Sequence, residues 1–192
     1  REKLADYYSS QYGVSVNSST EIIVTAGAKA GIHMAFMAIL DPGDEVIIHE
    51  PAWVSYPEQV RLCHGLPVFM PCPKTIYDLP DYINERTKAI VINNPHNPRG
   101  SVLTKDELEF LYELVERHDI YVIADEVYSD FLVEGDSFFS CGLFDAEKQR
   151  TIICNSMSKN YGLSGWRVGY VITNQDLAFE ILKINQHLIT CP

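Results

Sequence analysis

Short apolar runs rich in β-branched residues alternate along the chain with segments whose apolar positions recur at helical spacing. The runs at 21–25, 45–49, 67–71, 89–93, 120–124, 151–155 and 168–173 read as strands. Two of them, Ala89-Ile90-Val91-Ile92 and Tyr121-Val122-Ile123-Ala124, are apolar nearly throughout, as a strand covered on both faces must be. Helical periods fall at 28–40, 54–64, 78–85, 104–117 and 174–188, and Arg1 already stands inside a helical pattern. Thr104 with Glu107 makes a capping box that opens one helix. Asp41-Pro42-Gly43-Asp44 is a turn between a helix and a strand.

This alternation predicts an α/β fold of three layers, α/β/α, around a mostly parallel sheet. Right-handed crossovers would then bring every strand's C-terminal end to one rim, where open sheets bind ligands. Functional residues should therefore cluster just after strands.

Composition narrows the picture. With 192 residues, 46% of them apolar, the chain can bury one substantial core, so 1–192 is read as one domain. A net charge of −11 argues against a nucleic-acid or anionic-membrane surface, yet leaves room for a local cationic pocket. Five cysteines (Cys63, Cys72, Cys141, Cys154, Cys191), without C-x-x-C spacing, offer neither a metal site nor a disulfide framework. They point to a reducing, cytoplasmic setting. No apolar run reaches the roughly 18–20 residues that span a bilayer, and no signal-peptide pattern opens the chain. The start at Arg1 and the stop at Cys191-Pro192 read as cut ends of something longer.

Four predicted strands end in unusual stretches. The first runs into Thr25-Ala26-Gly27-Ala28-Lys29-Ala30-Gly31, a glycine turn before a helix whose free N–H groups suit a phosphate; a tight turn needs glycine anyway. Another ends in Asn93-Asn94-Pro95-His96-Asn97-Pro98-Arg99-Gly100, where proline stiffens a loop that can hold an asparagine amide or simply turn the chain. A third ends in Asp125-Glu126-Val127-Tyr128; a carboxylate there needs a cation or serves as a helix cap. The fourth leads into Ser156-Met157-Ser158-Lys159, then Gly165-Trp166-Arg167-Val168-Gly169. A lysine among small residues can become a nucleophilic amine, and Arg167 can fork onto a phosphate.

Taken together, these blocks, with Pro42-Gly43-Asp44-Glu45-Val46, resemble fold-type I enzymes that use pyridoxal 5′-phosphate (PLP), specifically the class I/II aminotransferase family. The resemblance covers nearly the whole chain and implies the large, PLP-binding domain of that fold. It implies that Lys159 bonds the cofactor as an imine and shuttles the substrate Cα proton. Asp125 would pair with the pyridine nitrogen, Tyr128 and Asn97 would bind the phenolic oxygen, and Trp53 would stack on the ring. Gly27, Ala28, Lys29, Ser156 and Arg167, with Ser158 as a further candidate, would hold the phosphate. His96 is read as a loop histidine, and no histidine falls in a metal-like grouping.

The implied activity moves an amino group between an L-amino acid and a 2-oxo acid, in a homodimer. A carbon–sulfur lyase of the same fold and a non-catalytic PLP-binding fragment are the alternatives. The chain departs from the family at Arg99, where threonine is usual; the arginine is either an exposed loop residue or an extra cation near the substrate. The segment 70–78 is short. The family's N-terminal arm, its cross-subunit tyrosine and the small-domain arginine that grips the substrate carboxylate find no match in this sequence.

Overall fold

The computed structural model describes residues 1–189; Cys191 and the expected cut end at Pro192 lie outside them. Seven strands form one sheet: β1 (Ile22–Thr25), β2 (Glu45–His49), β3 (Leu66–Met70), β4 (Thr87–Asn93), β5 (Tyr121–Asp125), β6 (Thr151–Ser156) and β7 (Gly169–Ile172). Their spatial order is β1-β7-β6-β5-β4-β2-β3. All seven expected strands are present, with ends shifted by a residue or two.

The sheet is parallel except for β7, which runs antiparallel to both β1 and β6. This corrects the expectation that every strand presents its C-terminal end to the rim. The twelve residues between β6 and β7 are taken up by a one-turn helix at Met157–Asn160 and a 3₁₀ turn at Ser164–Trp166, which turn the chain back at the rim instead of carrying it across a face of the sheet. Residues just before β7, Arg167 among them, thereby reach the same rim as residues just after the other strands.

Side-chain alternation divides the core in two. Ile90 and Ile92 of β4 face one side with Val122 and Ala124 of β5, whereas Ala89, Val91 and Ile123 face the other. Helix α1 (Glu2–Tyr12) and α4 (Lys105–His118) cover the first face through Tyr8, Leu108, Leu111 and Val115. Helices α2 (Ala28–Ile39), α3 (Ser55–Leu62) and α6 (Gln175–Leu188) cover the second through Ile32, Phe36, Tyr56, Val60 and Ile181. The three-layer α/β/α arrangement follows. The Thr104–Glu107 capping box opens α4.

One expected helix is absent. The span 78–85 gives way to a 3₁₀ turn at Ile76–Asp81. A Thr75–Asp78 capping box starts it early, and Pro80, lacking an N–H donor, stops it from growing into an α-helix.

Candidate active site

The rim holds a cleft of about 240 Å³ between β1, β5, β6 and the segment after β2. Lys159, Asp125 and Arg167 all line it, as do Ala28, Lys29, Trp53, Asn97, Tyr128, Ser156 and Ser158. Gly27 does not line it; it forms the bed on which the Arg167 guanidinium lies.

That bed is built by steric need. Gly27 has φ 82°, and a Cβ there would meet Arg167 Cζ at 3.0 Å. Arg167 is itself left-handed (φ 54°, ψ 41°), a strained conformation for a residue with a side chain. Its Nη1 donates to Ser164 O at 3.0 Å and its Nη2 to Ala26 O at 3.5 Å. The guanidinium is thus held beside the start of α2, where Ala28 and Lys29 bring the first N–H groups of the helix. Across the gap, a Cβ at Gly169 would stand 2.5 Å from Ala28 N. Gly169→Ala should therefore cost about 3 kcal/mol of stability by pushing β7 off the Gly27 turn. Urea unfolding of the variant checks this.

Ser156 ends β6 and caps α5 (Met157–Asn160), its Oγ accepting from Ser158 N–H at 3.3 Å. This one-turn helix carries Lys159 into the cleft, with Nζ 5.7 Å from the Tyr128 ring centroid. Tyr128 O–H lies 3.5 Å from the Asn97 side-chain amide. Trp53 flanks the cleft edge-on to Tyr56, and Lys29 Nζ sits 5.4 Å from the Trp53 ring centroid.

Asp125 is the floor. It is 4% exposed and makes no ion pair among the described residues. Tyr56 O–H donates to its Oδ2 at 2.6 Å, and Val127 N–H donates to Oδ1 at 3.3 Å. The residues that follow form turns, so Asp125 caps no helix. Burial pushes its carboxyl up to about 6 despite both hydrogen bonds. A buried carboxyl of this kind lacks a cation.

Sequence reasoning passed over two of these contacts. Tyr56 stands in the first turn of α3, three residues after Trp53, and the two rings meet edge-on with centroids 5.2 Å apart. Asn93 pairs with Asp125 in the β4–β5 register, where its Nδ2 donates to Asp125 O at 3.0 Å and its Oδ1 accepts from Asn97 N–H at 2.7 Å. That position at the ends of adjacent parallel strands was the available signal.

Glu126 is buried too, facing away from the cleft. Ser140 Oγ–H and Cys141 N–H donate to it at 3.0 and 2.8 Å. Burial pushes this carboxyl up to about 8, so it carries a proton at neutral pH. Its folded value exceeds the unfolded one, so the stability it confers is full below about pH 4.5 and is lost as pH rises through 8. In the cofactor-free protein, Glu126→Gln should match the parent within about 1 kcal/mol at pH 5. It should exceed the parent by on the order of 3 kcal/mol at pH 8.5, measured by urea unfolding at both pH values.

The aminotransferase class I and II family model matches residues 1–192. The chain belongs to that family. It is 36% identical to an aspartate aminotransferase of Sulfolobus acidocaldarius, over 100% of the chain and 50% of that protein. It is 40% identical to a probable aspartate/prephenate aminotransferase of Aquifex aeolicus, over 99% and 50% respectively. Among solved structures, the aromatic aminotransferase of Pyrococcus horikoshii superposes with a TM-score of 0.95 at 36% identity, covering 100% of this chain and 53% of that one. Aspartate aminotransferase from Thermus thermophilus with maleate gives 0.93 at 38% identity, covering 100% and 50%. This aminotransferase-family chain therefore spans about half the length of the relatives it matches, and its seven-stranded sheet is that of the PLP-dependent transferase fold.

Proposed function

We propose that the full-length protein is a PLP-dependent aminotransferase, moving an amino group between an amino acid and a 2-oxo acid, with Lys159 as the residue that bonds the cofactor. The observation that carries this reading is Asp125: a buried carboxyl without a cation, at the floor of a cleft that also receives an amine and a guanidinium. Such a floor fits the protonated nitrogen of a pyridine ring.

The other groups fit the rest of that molecule. Arg167, the Ser156 hydroxyl and the N–H groups of Ala28 and Lys29 would hold a phosphate, with Ser158 adjoining. Gly27 leaves room for the guanidinium. Tyr128 and Asn97 would hydrogen-bond a phenolic oxygen, and Trp53 would stack on the ring. When bound, PLP supplies an electron sink for the pair released as a substrate Cα–H bond breaks. Lys159 would take that proton and return it to the carbon on the far side of the imine nitrogen. Asp125 would keep the ring nitrogen protonated, and Tyr56 would hold Asp125 in its ionised form. The relatives' names favour transfer over carbon–sulfur elimination.

The reading includes a homodimer and a cytoplasmic setting. Phe131, Tyr161 and Trp166 expose 57%, 56% and 72% of themselves, an apolar rim that suits a second copy. Cys63, Cys72, Cys141 and Cys154 are all free thiols, which supports a reducing compartment.

Full-length protein given PLP should develop a visible absorption band that borohydride makes permanent, with peptide mapping placing the reduced adduct on Lys159. An amino donor added before reduction should bleach the band. Capture at another lysine, or none, would overturn the assignment; a band unaffected by any amino donor would leave only a binding module.

A further inference from the structure

Lys159 rides on a helix too short to hold itself. A single turn, Met157–Asn160, makes α5, and so few residues give a helix no stability of its own. Its first residue is secured. Met157 N–H donates to Val168 O at 3.0 Å, just before β7, and the Met157 side chain packs on the first core. The lysine end depends on one side chain. Among the described residues, Asn160 alone on α5 sends a side-chain hydrogen bond to another element: its Nδ2 donates to Ser129 Oγ at 3.1 Å, across 31 positions of sequence.

Ser129 is a firm point to tie to. It is 3% exposed, and its N–H donates to Glu126 O at 3.1 Å, closing the turn that follows Asp125. Its neighbour Asp130 accepts from the Tyr7 hydroxyl of α1 at 3.3 Å, and the Tyr7 and Tyr12 hydroxyls meet at 3.1 Å. Its other neighbour is Tyr128, whose ring centroid lies 5.7 Å from Lys159 Nζ. The Asn160–Ser129 bond thus joins the same two segments as the lysine and the tyrosine, one residue further along each.

For stability alone this bond is a poor device. Asn160 Oδ1 is buried without a hydrogen-bond partner, and an unmet buried acceptor offsets about as much as one such bond confers. Nor does Asn160 line the cleft. We infer that Asn160 is a positioning residue, whose amide holds the Lys159 amine against Tyr128 by tying α5 to Ser129. The inference rests on the proposed role of Lys159 in bonding PLP. With the tie cut, α5 is held only at Met157, and the amine loses its fixed distance from the ring that Tyr128 and Asn97 would orient. A misplacement of about 1 Å at a reacting group costs on the order of 10²-fold in rate.

The test uses full-length protein stripped of PLP, mixed with it again and quenched with borohydride at timed intervals, with peptide mapping to count the adduct on Lys159. The parent should accumulate that adduct. Asn160→Ala and Ser129→Ala should each accumulate it about tenfold more slowly, and the double variant no more slowly than either single one, because all three cut the same bond. In steady state both single variants should lose on the order of 10–10²-fold in kcat, with KM for the amino donor within about threefold of the parent. Their melting temperatures should stay within about 4 °C of it. A parent that forms no adduct on Lys159 would remove the assigned lysine and this inference together. A parent that forms it, with single variants equally fast, with losses that add in the double variant, or with slowing matched by a collapse in melting temperature, would overturn the positioning role alone.

Discussion

Lys159→Ala in the full-length protein is expected to lower transamination on the order of 10⁴-fold while leaving the fold intact. Proton transfer by a positioned side chain accounts for about 10²–10⁴ of rate, and here the same amine also bonds the cofactor. The fold should survive because Lys159 is exposed on a one-turn helix and fills no part of either core. Ser156 still caps that turn, and Arg167 is held by Ser164 and Ala26 rather than by the lysine. The variant should therefore still take up PLP, without the borohydride-stable linkage. Steady-state rates at saturating PLP, with a thermal melt on the same samples, measure both halves. Lys159→Arg, which keeps a cation but removes the nucleophilic amine, should fail equally. A rate within tenfold of the parent would move the covalent role to another residue.

How far the site could be read from sequence depends on what holds each residue. Lys159, Asp125 and Asn97 follow strands whose apolar runs are unmistakable, so their place on the rim comes from periodicity and handedness alone. Arg167 was reached through its motif; its actual delivery depends on the reversal of β7, which no local pattern announces. Tyr56 escaped because its function is a contact with a residue 69 positions away, and a helical tyrosine three places after a tryptophan reads equally well as core. Asn93 escaped because strand register decides that it faces Asp125. The missing helix at 78–85 had its own signal in Pro80, outweighed there by the surrounding helical period. Local patterns are legible where one element suffices, and pairings across elements are not.

Asp125→Asn should lower transamination about 10²–10³-fold, because breaking a buried charge pair costs about 3–5 kcal/mol once the partner is left alone. The cofactor-free protein supplies a separate handle on the same residue. Burial raises the Asp125 carboxyl to about 6 from an ordinary value of 3.8. Its contribution to stability is thus complete below about pH 3.8 and lost as pH climbs through 6, where the charge must be buried unpaired. A cation at the ring nitrogen would relieve that penalty. The rise in melting temperature on adding PLP should therefore be larger at pH 7.5 than at pH 5, and Asp125→Asn should remove most of the difference between the two. Tyr56→Phe should act in the same direction but less: its 2.6 Å hydrogen bond favours the ionised carboxylate, and a bond to a charged group is worth about 1.5–3 kcal/mol. Its loss should raise the Asp125 carboxyl further and slow the reaction about tenfold or more. The comparison with Asn separates Asp125 from the cofactor's own titrating groups, which both proteins share. If parent and Asp125→Asn gain equally from PLP at both pH values, the carboxyl at the floor of the cleft does not meet a cationic ring.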